Sequence, residues 1–188
     1  MEQKNALAER ILNVALEQAE SSSWESVNLH TVAKKLDISL YDIKIIYPQK
    51  DDLVEAWFDR SDKTVFSEKA SEDFISLAAH ERVHKLMMQW FLSLSEHRKV
   101  TRQMLCYKLE FGHIHLQVLG IMRISRTVQW IREAALLKTK NIHRIIEEIY
   151  LTRIFLSGFT RWLFDNSKNN LHTTNYLHSA LKNIRSLN

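Results

Sequence analysis

His80-Glu81-Arg82-Val83-His84 carries the clearest catalytic spacing in this chain. Two His four positions apart on a helix share one face, which lets both imidazoles take a zinc ion while the intervening Glu serves as general base. The extended form of the motif does not follow, because Lys85-Leu86-Met87-Met88 comes next where a Gly and a third His would be needed. Glu96, Glu110, His113 and His115 are third-ligand candidates on paper only. A random ordering of this composition yields the five-residue pattern roughly 3% of the time. The expectation is two helix-surface His beside a solvated Glu, with no metal and no cofactor. No Gly-rich phosphate loop, no G-x-S-x-G and no telling Cys/His pair occurs elsewhere, so an enzyme is not expected.

A second group of residues has different chemistry. His30, Thr31, Lys34, Lys35, Leu40, Tyr41, Lys44, Tyr47 and Lys50 bring cations, hydrogen-bond donors and aromatic rings into one short stretch. Lys neutralises phosphates, while donors and apolar groups that reach base edges read sequence. Double-stranded DNA is the partner this set would fit. Base contacts are expected from Tyr41 and Lys44, with Leu40 offering an apolar contact, and phosphate contacts from His30, Thr31, Tyr47 and Lys50.

The elements that must position these residues follow from the composition. The chain has 3 Gly and 1 Pro in 188 residues, where average usage would give about 13 and 9. Hairpins, barrels and α/β crossovers need those residues for positive φ and fixed bends, so an all-α protein is expected. Hydrophobic residues at 45% and charged residues at 26% suit a globular chain with a core, and no apolar run reaches the ~18 residues of a membrane span. The opening Met1-Glu2-Gln3-Lys4-Asn5 runs into an amphipathic pattern unlike a signal or transit peptide. The single cysteine, Cys106, makes no internal disulfide, which suits a cytoplasmic protein, and is expected on an apolar helix face.

Apolar spacing places a first helix through Leu7, Ile11, Val14 and Ala15, ended by Ser21-Ser22-Ser23. A short helix from Leu29 to Leu36 follows, with Asn28 as N-cap, then the break Asp37-Ile38-Ser39. Ser39 caps a third helix, Leu40 to Tyr47, which stops before Pro48. A fourth helix starts at Lys50 or Asp51, and long helices are expected over roughly 73–97, 99–111, 114–138, 142–167 and 173–187. The division expected is a three-helix domain over 1–48 and a helical bundle over 49–188, about nine helices in all.

Two short helices joined by a three-residue turn form a helix-turn-helix, whose second helix fits the DNA major groove. The stretch Ile11–Arg60 resembles the N-terminal region of tetracycline-repressor (TetR) family regulators. The matching features are the helix Ile11-Leu12-Asn13-Val14-Ala15-Leu16, the aromatic Trp24, the segment Val27 to Leu36, the turn Asp37-Ile38-Ser39, the terminal aromatic Tyr47, Lys50, and an acidic helix start leading into Leu53. The resemblance implies a dimeric transcriptional repressor that binds a palindromic operator and is released by a small apolar or amphipathic effector. The chain departs from the family pattern at Tyr41, where Gly is usual, at Asp42, which stands for a phosphate-contacting Thr, and at Ile46, which stands for a His. Residues 1–60 also carry 7 Lys and Arg against 11 Asp and Glu, although the whole chain is +4. A lipid- or hydrophobe-binding protein of the same fold without DNA binding, like the ubiquinone-biosynthesis relatives, is the alternative.

The remaining helices are rich in bulky, adaptable side chains. Trp57, Met87, Trp90, Phe91, Met104, Tyr107 and Trp130 are the expected lining of an apolar effector pocket between helices. Ile145, Ile149, Leu156, Phe159, Leu163, Leu177, Leu181 and Ile184 make two apolar stripes on the last two helices. Paired across a two-fold axis, those stripes would build a four-helix homodimer interface.

Overall fold

A computed structural model describes residues 2–67, 69–108 and 114–184, with backbone alone for 2, 107–108 and 114–121. Helices α1 (Glu2–Ser21), α2 (Leu29–Leu36), α3 (Leu40–Ile46) and α4 (Lys50–Phe66) open the chain. After them come α5 (Glu72–Ser76), α6 (Ala79–Ser93), α7 (Arg98–Lys108), α8 (Ile114–Ala134), α9 (Asn141–Phe164) and α10 (Leu171–Lys182). The protein is all-α, with ten α-helices and no strand among the described residues. Among the described residues no helix is long and apolar enough to cross a membrane.

The helices form two compact units, residues 1–60 with 96–110, and 61–95 with 111–188. In the first, Ile11, Leu12, Ala15, Leu16 and Ala19 of α1 meet Trp24, Val32, Ala33 and Ile43 in a closed core. α7 completes this unit. Gln103 accepts the Trp24 backbone N–H at 2.9 Å, and Thr101 accepts the Trp57 indole N–H at 2.9 Å. Segment 96–110 contributes four Lys and Arg against two Glu, which halves the acidic excess of residues 1–60. Cys106 of α7 is exposed rather than on an apolar face, because Val100, Thr101 and Met104 take the buried positions there.

Helix boundaries differ from expectation where a polar side chain gathers backbone groups. The helix expected over 73–97 is broken at Leu77-Ala78. Arg82 donates to the carbonyls of Leu77 at 2.5 Å and Ala135 at 2.7 Å, while Glu81 accepts the Ala78 N–H at 3.0 Å. Those two side chains satisfy groups that a continuous helix would have paired internally. α8 ends at Ala134 rather than 138, with Leu136 in the left-handed region (φ 58°) and the Leu137 N–H returning to Arg132 O at 3.2 Å. The buried Arg132–Glu147 ion pair (2.8 Å) and the Arg132–Thr139 bonds hold the chain against the start of α9.

In the second unit Trp90, Phe91, Phe155, Phe159 and Trp162 form one aromatic cluster, with Trp90–Phe155 and Phe91–Phe155 centroids 5.1 and 5.2 Å apart. Gly158 lets α10 approach α9: a Cβ there would lie 2.6 Å from Leu177 Cδ2 and 3.3 Å from Phe91 Cε2. Both neighbours are fully buried and have no room to swing aside. Gly158→Ala would gain about 1 kcal/mol in helix propensity but overpack a site where such insertions cost about 1–3 kcal/mol. The expected outcome is a lower urea midpoint for Gly158→Ala, and a reversal of that sign when the same change is made in a Leu177→Ala background.

Candidate nucleic-acid interface

The α2–turn–α3 unit is fixed by caps rather than by glycine. Asn28 Oδ1 accepts the N–H groups of His30 (2.8 Å) and Thr31 (3.3 Å) at the start of α2. At its end Asp37 adopts φ 54°, and Ile38 N–H donates to Ala33 O at 3.1 Å, a left-handed helix stop that Asp tolerates better than most side chains. Ser39 then caps α3. Its Oγ accepts the Asp42 N–H at 3.1 Å, and Asp42 Oδ2 accepts the Ser39 N–H at 2.8 Å and hydroxyl at 2.6 Å. These bonds hold the Asp42 carboxyl below its ordinary range. Asp42 is therefore the reciprocal partner of a capping box, its carboxylate turned back onto the helix start.

The caps set which α3 side chains face outward. Ile43 and Tyr47 are buried in the head, whereas Leu40, Tyr41, Lys44 and Ile45 are exposed. Together with Leu29, His30 and Pro48, three of these four border a shallow groove of about 530 Å³. His30, Thr31 and Lys34 are exposed on α2, and neither Lys34 nor Lys44 forms an ion pair among the described residues.

Three of the expected DNA-contacting residues are otherwise engaged. Tyr47 is buried, and its hydroxyl donates to Ala8 O at 3.1 Å, so it braces α3 against α1 instead of facing outward. Lys50 donates to Glu25 O at 2.9 Å and lies 5.3 Å from the centre of the Trp24 ring, and partial burial lowers its pKa. Lys35 pairs with Glu17 at 2.6 Å. Spacing could not reveal these roles, since each partner lies 18 or more residues away. Ile45 is the outward residue that the sequence reading missed, and its i+4 relation to Tyr41 was the available signal.

No family model and no curated protein matches the chain. A solved structure does: the TetR transcriptional regulator from Nitrosomonas europaea ATCC 19718 is 42% identical over 94% of this chain and 97% of that one, with a TM-score of 0.82. This chain belongs to the TetR family of transcriptional regulators.

Placement of the remaining residues is mixed in this TetR-family chain. Of the expected pocket, Trp57 and Met104 are buried in the first unit, while Met87, Trp90 and Phe91 are buried in the core of the second. The side chain of Tyr107 lies outside the described residues. Trp130 is 61% exposed and lines a surface groove of about 410 Å³ with Phe66, Phe74, Lys85 and Leu86. A polar constellation went unnoticed in the sequence. Asp62 accepts from Trp90 Nε1 (2.7 Å), Arg123 Nη2 (2.9 Å) and Thr127 Oγ1 (3.2 Å). Its signal was Arg123 standing alone in the run Ile121-Met122-Arg123-Ile124.

The expected dimer stripes also divide. Phe159, Leu163, Leu177 and Leu181 are buried within the chain because α10 packs onto α9 at Gly158, so they are core rather than surface. Leu156 and Ile184 are half-buried. Ile145 and Ile149 are exposed, as are Ile142, Ile146 and Tyr150, which extend them into one stripe along the first half of α9.

The His80–His84 pair serves packing. His84 Nε2 donates to Thr174 O at 3.2 Å, and both rings meet His178 edge-on at 6.1 and 6.0 Å. Burial holds His84 below the ordinary imidazole value. Among the described residues no three His, Cys, Asp or Glu are placed to hold a metal ion.

Burial pushes the Tyr47 phenol up to about 12, with Glu9 adding to the rise, against about 10 in an unfolded chain. The stability this neutral phenol contributes is full below pH 10 and is lost as pH rises towards 12. Tyr47→Phe, which removes the phenolic bond to Ala8 O, should be less stable by about 0.5–1.5 kcal/mol at pH 7. Urea midpoints at pH 7 and 11 should show that difference shrinking at the higher pH.

Proposed function

We propose that this regulator is a cytoplasmic homodimeric repressor that holds the two halves of a palindromic operator with α2 and α3. A small apolar or amphipathic effector binding in its C-terminal part releases it. The observation that carries this reading is a helix-turn-helix capped at every joint, in a chain that belongs to the TetR family. Residues 1–48 act as the DNA-reading segment, and 49–188 hold the effector and dimer surfaces.

Tyr41 and Lys44 contact base edges from α3, while His30, Thr31 and Lys34 hold phosphates from α2. One such helix reads too few base pairs for selectivity, so two heads engage half-sites about 34–36 Å apart or a little more. The exposed stripe of Ile142, Ile145, Ile146, Ile149 and Tyr150 is the apolar surface offered for self-association. The groove bordered by Trp130, Phe66 and Phe74 is the starting point for an effector, with the cation of Lys85 at its edge. By linkage, effector and operator weaken each other's binding to the same degree.

A gel shift with the DNA upstream of the protein's own gene, titrated with salt, tests the reading. Lys44→Ala should cost about 1–3 kcal/mol of specific binding. Lys34→Ala should weaken all duplexes alike and lower the salt slope by about 1. Absence of any salt-sensitive retention would overturn the repressor reading, and co-purifying lipid with no DNA affinity would point to the hydrophobe-binding alternative. Ile149→Glu places a charge within the α9 stripe, and should shift the protein to monomer by analytical ultracentrifugation without loss of helicity.

A further inference from the structure

The outward face of α3 is unusual for a surface meant to meet a polyanion. Tyr41 is 69%, Ile45 51% and Leu40 39% exposed, so three of its four outward side chains are large and largely apolar. The fourth, Lys44, is the one cation on the helix, and the Asp42 carboxylate is committed to Ser39. No Arg, Asn or Gln occurs between Leu40 and Tyr47, so the planar side chains that pair with base edges through two hydrogen bonds at once are missing and only Lys44 is left for guanine. Polar readout from α3 is thus confined to the Lys44 ammonium and the Tyr41 hydroxyl.

The major groove presents one apolar group, the C5 methyl of thymine. A protein interface would also cover an apolar face. Here, however, His30 borders the same groove as Leu40, Tyr41 and Lys44, and Thr31 and Lys34 are exposed on the adjoining α2, a set that suits a phosphate-lined groove. Resting on the operator reading above, we infer that each half-site carries thymines opposite α3, recognised through their methyl groups by Leu40, Tyr41 and Ile45. Lys44 adds a single guanine contact. Half-site selectivity is then mainly a matter of shape and methyl burial, and the Gly-to-Tyr departure at position 41 enlarges the apolar reading surface.

Selection of bound duplexes from a random pool should return two-fold related half-sites with at least two thymines in the α3 footprint. Replacing those thymines with deoxyuridine removes only the methyl groups and leaves the hydrogen-bonding edges intact. Each replacement should weaken wild-type binding about fourfold, the equivalent of one buried methyl, whereas deoxyuridine outside the footprint should change nothing. In Ile45→Ala, an exposed substitution that leaves the head core intact, at least one replacement should lose its effect. Lys44→Ala should keep the uridine sensitivity and relax the guanine position. Retention of a selected operator with uridine as tightly as with thymine would overturn the thymine assignment alone. Failure to retain any duplex would overturn the operator reading, and this inference with it.

Discussion

Ser39 and Asp42 exchange hydrogen bonds across the first turn of α3, and the orientation of the whole reading head depends on that exchange. A chain with three Gly and one Pro has few residues that end a helix through backbone freedom alone. Side-chain caps supply the starts, Asn28 for α2 and Ser39 with Asp42 for α3, while α2 stops at Asp37 in the left-handed region. Once α3 begins at Leu40, its periodicity buries Ile43 and Tyr47 and turns Leu40, Tyr41, Lys44 and Ile45 outward. The Asp42 departure from the family pattern has a physical purpose in this frame. It trades a possible phosphate contact for a firm start to a seven-residue helix.

Net charge is a poor index of what the head presents. Glu9 is paired with Arg60 and Glu17 with Lys35, which leaves the balance of residues 1–60 unchanged but ties those four charges to one another. The free ammonium groups of Lys34 and Lys44 lie on the helix-turn-helix itself. Phosphate affinity depends on which cations reach the backbone, and exposed pairs elsewhere contribute little at physiological salt. Segment 96–110 adds further cations to the unit from far along the chain.

The second unit shows how packing decides between surfaces that look alike in sequence. Apolar stripes on α9 and α10 have the spacing of an interface, yet Gly158 lets the two helices close on each other and consumes Phe159, Leu163, Leu177 and Leu181. What remains outside is the isoleucine-rich first half of α9. In the same way Glu81, which reads as solvated or catalytic, caps the start of α6, and Arg82 beside it gathers the carbonyl at the end of α5. The His80–Glu81–His84 spacing thereby resolves into a helix cap and a set of edge-on imidazoles.

The sequence by itself determined the helical class, the helix-turn-helix with its Asn28 and Ser39 caps, and the family. These features rest on residues close together in the chain, where periodicity and capping act locally. Tertiary structure alone decided which donors face outward. Tyr47 is claimed by Ala8, Lys50 by Glu25 and Lys35 by Glu17, each across a separation that no local pattern encodes. It also decided where long helices stop, because Arg82 and the Arg132–Glu147 pair break them by reaching backbone or side chains on other elements. Periodicity marks a face as apolar or polar. Only the neighbours that arrive on folding settle whether that face is buried, bonded or free to meet a partner.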